Sequence, residues 1–357
     1  MKQEQDFDSL RLHIVSNILE LQKRDAACGA INTAFMNIGF ESSNTFKALI
    51  SKIAKTQLGD VAKTLNEAKK VTDELLYKNV AFNNKRVFFY GLSNDVLNRL
   101  FKALTEKNEY FDYNSENKTF NYEMIDHDRV ETSLIIDKDE DFKIIYLRSG
   151  RNRTETRHPK NKEHLFADDE YGEVIDVIIK VQYVMNAFDF FAFDFKNNHL
   201  IIGLDLDDVF PTAETNKAQG NYIRDLTKLG HLQSTKAETL RNCVARLEHE
   251  KEGRVLNHSF MTADRGFNHA GNSITSNQDI RNDDFHKDGI SGKDADFYGI
   301  KKLFPLNNDE KAILTVRMTY KEYKKANARI NSAVIDSVTS YEGLKFSIRK
   351  ILQHNHN

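Results

Sequence analysis

The sequence predicts an α+β fold, with a helical N-terminal region, a central antiparallel β-meander domain and a C-terminal domain of mixed helices and strands. Three observations carry this reading. Apolar residues up to about position 80 recur at spacings of three and four, the period of a helix face. From Lys85 the pattern changes to short aromatic and β-branched runs joined by short polar links, which force antiparallel neighbours. Past Pro211 the helical period returns, then gives way to one more strand and a closing helix. A chain of 357 residues is too long for one ordinary core, so three regions are drawn, 1–80, 81–210 and 211–357.

Phe7, Leu10, Ile14, Ile18 and Leu21 form the first helical face. Leu58, Val61, Leu65, Ala68, Thr72 and Leu75 alternate three and four on a second helix, either an intramolecular bundle seam or an arm for homo-oligomerisation. "KRVFFYGL" reads as a strand and "SNDVLNRLFKALTEK" as a helix with Ser93 at its N-cap. "YFDYNSENKTFNYEMI" reads as a hairpin, and "RVETSLIID" and "FKIIYLRSG" as two further strands. Three strands follow, "EVIDVIIKVQYV", "FDFFAFDF" and "HLIIGLDL", with MNA and NN as tight connections. Residues 212–250 read as helical, 257–292 as a long polar loop, "AILTVRMT" as a strand, Thr319 and Glu322 as a capping box before a helix, and "HNHN" as a frayed end.

Composition sets limits on function. Hydrophobic residues at 40%, charged residues at 29% and a net charge of −2 describe a globular chain with no global pull toward nucleic acid or membrane. The opening MKQEQDFDSL has neither the basic nor the apolar region of a signal peptide, and no apolar run reaches spanning length. Cys28 and Cys243 make no CxxC pair, so a cytoplasmic location is expected and a thiolate zinc site is not.

The densest charge lies in "RSGRNRTETRHPKNK", residues 148–162, with six Lys or Arg against one Glu. Read as a basic loop, it makes Arg148, Arg151, Arg153, Arg157, Lys160 and Lys162 candidate phosphate contacts, and nucleic acid, DNA or RNA, the candidate partner. A second candidate sits on the meander. If NN is a two-residue turn, Lys196 pairs with His199 and Asp194 with Ile201. If MNA is also tight, Asp176 falls opposite Lys196. Asp176, Asp194 and Lys196 would then cluster in an arrangement that resembles the site of PD-(D/E)xK nucleases. That resemblance implies Asp176 and Asp194 as ligands of Mg²⁺ or Mn²⁺, and all three residues as catalytic. A structural or regulatory role in a larger assembly is the third class, resting on the N-terminal helices.

Two further resemblances are weaker. Arg151 to His158 and Arg281 to His286 fit the loose Arg-to-His spacing of HEPN-class ribonucleases, a spacing that chance supplies in this chain. Asn277 and His286, with His258 or His269 upstream, resemble the metal ligand and base of an HNH-type nuclease.

Overall fold

In a computed structural model the described residues are 2–55, 61–111, 119–127, 129–158, 177–205, 209–230, 232, 236–262, 266–290, 295–307 and 310–356. Four helices open the chain: α1 (Lys2–Lys23), α2 (Cys28–Met36), α3 (Phe46–Lys55) and α4 (Val61–Phe82). β1 (Lys85–Gly91) and α5 (Asn94–Thr105) follow, then β2 (Val130–Ile136), β3 (Phe142–Arg157), β4 (Ile179–Asp194) and β5 (His199–Asp205). Two helices come next, α6 (Thr212–Lys228) and α7 (Arg241–His249). The last third holds β6 (Arg254–Thr262), β7 (Phe267–Gly271), a 3₁₀ turn (Ile280–Asn282), α8 (Asp284–Ile290), β8 (Ala295–Pro305), β9 (Lys311–Arg317), α9 (Tyr320–Tyr323), β10 (Ala333–Asp336) and α10 (Tyr341–His356). The fold is α+β, and the strand pairings within each unit are antiparallel.

The chain forms two compact units, one of residues 90–236, the other of residues 1–89 with 237–357. In the 90–236 unit the strands run β2-β3-β4-β5. β3 and β4 are each sixteen residues and pair along their whole length, from Phe142 opposite Asp194 to Arg157 opposite Ile179. The MNA segment is therefore not a turn. Met185, Asn186 and Ala187 continue β4 opposite Arg151, Gly150 and Ser149. The pattern was misleading because a strand buried on both faces loses its alternation, and the polar Asn186 and Asp189 read as punctuation.

Both faces of this sheet are closed. On one, Phe101 of α5 packs on Phe193 and Tyr222 of α6 on Phe191, with ring centroids 5.3 Å apart in each pair. On the other, Phe120 sits edge-on to Tyr146 at 5.1 Å and to Phe188 at 5.3 Å. Residues 119–126 are not strands, which corrects the predicted hairpin over its described part. They cover the sheet as irregular chain, held by side chains. Asn186 donates to the carbonyls of Tyr122 and Glu123 (3.2 and 2.8 Å) and accepts from the Ile125 N–H (3.1 Å). Gly150 is dictated by the same approach, since a Cβ there would stand 2.6 Å from the Asp126 carbonyl oxygen.

In the larger unit α1 packs against α3 and α4. Leu65, Ala68 and Thr72 of the predicted α4 seam are fully buried, so the seam is closed within the chain at these positions. The strands run β1-β10-β9-β8-β6-β7, with α7 on β8 and β9, and α10 on β9 and α7. The predicted capping box is present: the Thr319 hydroxyl accepts from the Glu322 N–H, and Glu322 accepts from the Thr319 N–H. Two expectations change here. Residues 257–292 hold a β-hairpin, a 3₁₀ turn and a helix rather than one loop, and α10 runs through the predicted frayed end to His356. No described helix is long and apolar enough to cross a membrane.

Candidate nucleic-acid interface

The predicted basic loop is, over its described residues, the second half of β3, and its arginines divide. Arg148 and Arg151 are buried. Arg148 donates to the carbonyl of Asn121 (3.1 Å), to the carbonyl of Glu123 and to the Glu131 carboxylate across the β2–β3 pair. It pins the irregular segment to the sheet. Arg151 pairs with the buried Asp189, which also accepts from the Tyr222 hydroxyl (2.6 Å) and from the Asp205 N–H (2.8 Å). Its guanidinium lies 5.5 Å from the Phe210 ring centre. Burial pushes the Asp189 carboxyl upward, against the pull of Arg151, and pushes the Tyr222 hydroxyl well above its ordinary range. A strand buried on both faces has no room for a solvated guanidinium, so both arginines carry internal partners. They are not surface contacts, which corrects their assignment.

Arg153 and Arg157 lie beyond the reach of β2 and β5. There residues 152–157 and 179–184 pair only with each other among the described residues, as a two-stranded ribbon. Arg157 is exposed and bonded to Glu155 at 3.1 Å. Lys160 and Lys162 lie outside the described residues, as does Asp176.

The β4–β5 turn is longer than predicted. Asp194 pairs with His199, and Phe195 to Asn198 form the turn, two residues off the expected register. A shift of two preserves facing, so Asp194 still shares a face with Ala192 and Ile201. Its carboxylate is buried and taken by the turn, accepting from the Asn197 side-chain amide at 2.7 Å. Lys196 is exposed in the turn, not on a strand. Ile179, three residues after Asp176, is at the opposite end of a strand roughly 50 Å long from Asp194, at about 3.3 Å per residue. The tight turn needed to bring Asp176 beside Asp194 and Lys196 is absent.

The weaker resemblances also resolve. Arg281 is held by Asp279 (2.6 Å) and by the carbonyls of Glu248 and Glu250 (both 2.7 Å). His258 and His286 do meet, with ring centres 4.3 Å apart, and Glu248 contacts Nδ1 of His258 at 3.2 Å. His258 is 0% and His286 6% exposed, packed against Phe260. A polymer phosphate has no access there. Burial, with His258 beside it, lowers the pKa of His286.

A half-buried, polar sheet face lies within residues 257–292, where the composition predicts a loop. β6 alternates: Leu256, His258 and Phe260 are on one face, Asn257, Ser259 and Met261 on the other. The first set is buried and the second half-buried. Asn257, Ser259 and Met261 pair with Gly271, His269 and Phe267 of β7, so these six residues share the open face. Next along the sheet, Gly299 and Lys301 of β8 lie opposite Ser259 and Asn257, and Arg317 and Thr315 of β9 lie opposite them in turn. Phe267 is 63% exposed and stacks on Tyr320 (4.9 Å, 30°), and the Lys324 ammonium sits 4.3 Å from the centre of the Tyr320 ring. Arg317 and His269 are exposed.

The opposite face of this sheet is closed around an ionic hub. Glu250 contacts Lys350 (2.5 Å), His354 (3.2 Å) and Lys302 (3.5 Å). Burial alone would raise the Glu250 carboxyl, but the Lys350 bond and the His354 and Lys302 charges hold it below its usual range. Lys302, fully buried and pushed down to about 8 by burial, donates to the carbonyls of Leu247 and Glu250 (2.7 Å each) at the end of α7. It caps a helix end, as cations do at C-termini.

No family model matches this chain, and no curated protein matches it in sequence.

Proposed function

We propose that the protein binds single-stranded nucleic acid on the open face of the β6–β9 sheet. The observation that carries this reading is Phe267, exposed on one side and stacked on Tyr320 on the other, beside a face furnished with Ser259, His269, Asn257, Lys301 and Arg317. An aromatic ring with one free side accepts a base by stacking, which contributes about 1–3 kcal/mol per base and tolerates any sequence. Lys301, Arg317 and Lys324 supply the cations that follow a phosphate backbone. A net charge of −2 fits a local interface rather than a global attraction.

Fluorescence anisotropy with a labelled oligothymidylate and an oligouridylate tests this. Binding should weaken as salt rises, and Phe267→Ala should weaken it about 5- to 150-fold, the range that 1–3 kcal/mol spans. Equal affinity in wild type and Phe267→Ala, or no binding at low salt, rejects it.

A second reading, self-association through α1, is favoured by one observation. Leu12 (70% exposed) and Leu19 (42%) lie seven residues apart on one stripe of that helix. Sedimentation equilibrium of wild type and Leu12→Glu separates a dimer from a monomer.

A further inference from the structure

On the open face, Ser259, His269 and Asn257 form a hydroxyl–imidazole–amide chain that stacking and charge do not require. Ser259 and His269 are direct cross-strand partners, with Oγ 2.8 Å from Nδ1. Asn257, two residues along β6 on the same face, places its side-chain Nδ2 2.8 Å from Nε2 of the same ring. The oxygen and nitrogen of an Asn amide exchange places on a 180° rotation. With the oxygen toward the ring, Nε2–H donates to Asn257, the tautomer is fixed, and Nδ1 is left to accept the Ser259 proton. That is the order of groups that activates a hydroxyl: nucleophile, base, and a third group orienting the base.

On its other side Ser259 faces a glycine and, beyond it, an arginine. Gly299 lies opposite Ser259 on β8, and Arg317 lies opposite Gly299 on β9. A Cβ at position 299 would stand 3.4 Å from Ser259 Oγ and 3.0 Å from the Arg317 Cβ, so any side chain there would fill the strip between the Ser259 hydroxyl and the base of the Arg317 side chain. Lys301, opposite Asn257, flanks it. A hydroxyl nucleophile facing two cations across a bare strip suits an anionic phosphoester.

We propose that Ser259 is a nucleophile toward phosphodiesters, with His269 as its general base and Asn257 as the positioning residue. Ser259 Oγ forms a bond to phosphorus while the bond from phosphorus to one ester oxygen breaks. The Ser259 proton passes to His269 Nδ1 and then to the departing alkoxide. Water, deprotonated by the same ring, displaces Ser259 from phosphorus and returns the hydroxyl, so one phosphodiester and one water give a phosphomonoester and an alcohol. Arg317 and Lys301 stabilise the charge on the non-bridging oxygens. The choice of a phosphodiester rests on reading this face as a nucleic-acid platform; the activated serine does not.

The test uses an alkyl fluorophosphonate on the full chain, read by intact mass and peptide mapping. Ser259 Oγ bonds to phosphorus, the P–F bond breaks, fluoride leaves and the proton goes to His269. One adduct is expected, on the peptide carrying Ser259, absent in Ser259→Ala and formed at least tenfold more slowly in His269→Gln. Asn257→Ala should slow labelling and Asn257→Asp restore it, a rescue that a purely structural role would not give. All four variants should keep the wild-type circular dichroism and melting temperature, because these side chains lie on an open face. Wild-type labelling no faster than Ser259→Ala, or an adduct on another residue, overturns the nucleophile. Hydrolysis of p-nitrophenyl acetate but not bis(p-nitrophenyl) phosphate overturns the substrate class. The probe carries no nucleic acid, so absent labelling with intact oligonucleotide binding rejects the nucleophile alone. Labelling without oligonucleotide binding rejects the platform alone.

Discussion

The β3–β5 strands and the β6–β9 strands solve the same problem in opposite ways. In β4 every residue from Met185 to Asp194 is buried, and helices on one face and the irregular 119–126 segment on the other close the sheet. In β6 burial alternates from Leu256 to Met261, and Asn257, Ser259 and Met261 stand on a half-buried face whose Phe267 rests on Tyr320 of α9. The difference decides what a charge can do. A cation in the closed sheet must find an internal partner, as Arg151 finds Asp189. A cation at the edge of the open face, such as exposed Arg317, remains available to a ligand.

The largest predicted effect follows from the closed sheet. Arg151→Ala leaves Asp189 buried without its counter-charge, and urea denaturation should show a loss of about 3–5 kcal/mol. Gly203→Ala comes next. Its Cβ would meet the Phe190 ring at 2.2 Å in a sheet with no slack, at a cost of about 1–3 kcal/mol. If either variant melted like wild type, the contrast between closed and open sheets would fail.

A pH prediction concerns the closed side of the open sheet. The folded-state pKa of His286 is depressed, so the unfolded chain takes up that proton first. Its contribution to stability is complete above the ordinary histidine value near 6.5 and declines as pH falls below it. Urea midpoints at pH 7.5 and 5.5 should therefore differ more in wild type than in His286→Gln. The smallest effect belongs to the open face: Phe267→Ala should change stability by only about 0.5 kcal/mol or less, measured by the same denaturation.

The helices were readable where local pattern and burial agree. The capping box at Thr319 and Glu322, the helix after Ser93 and the bundle seam through Leu65, Ala68 and Thr72 all follow from short-range spacing. Reading failed where long-range packing overrides alternation. Asn186 and Asp189 looked like a break because their hydrogen-bond partners, the 119–126 segment, Tyr222 and Arg151, are distant in sequence. The basic density of residues 148–157 was visible, but not that Arg148 and Arg151 point into the protein. The open face was hidden for the opposite reason, since Asn, Ser, His and Gly on β6 and β7 have the composition of a loop. The signal was available in the strict alternation of Asn257, Ser259 and Met261 with Leu256, His258 and Phe260.

The most direct measurement of where nucleic acid binds is ultraviolet crosslinking of a bound oligouridylate, followed by peptide mapping. Binding on the open sheet predicts crosslinks at Phe267 or Tyr320, on peptides spanning β7 and α9. Crosslinks confined to the ribbon of residues 152–157 and 179–184 would contradict it and return the interface to Arg153 and Arg157.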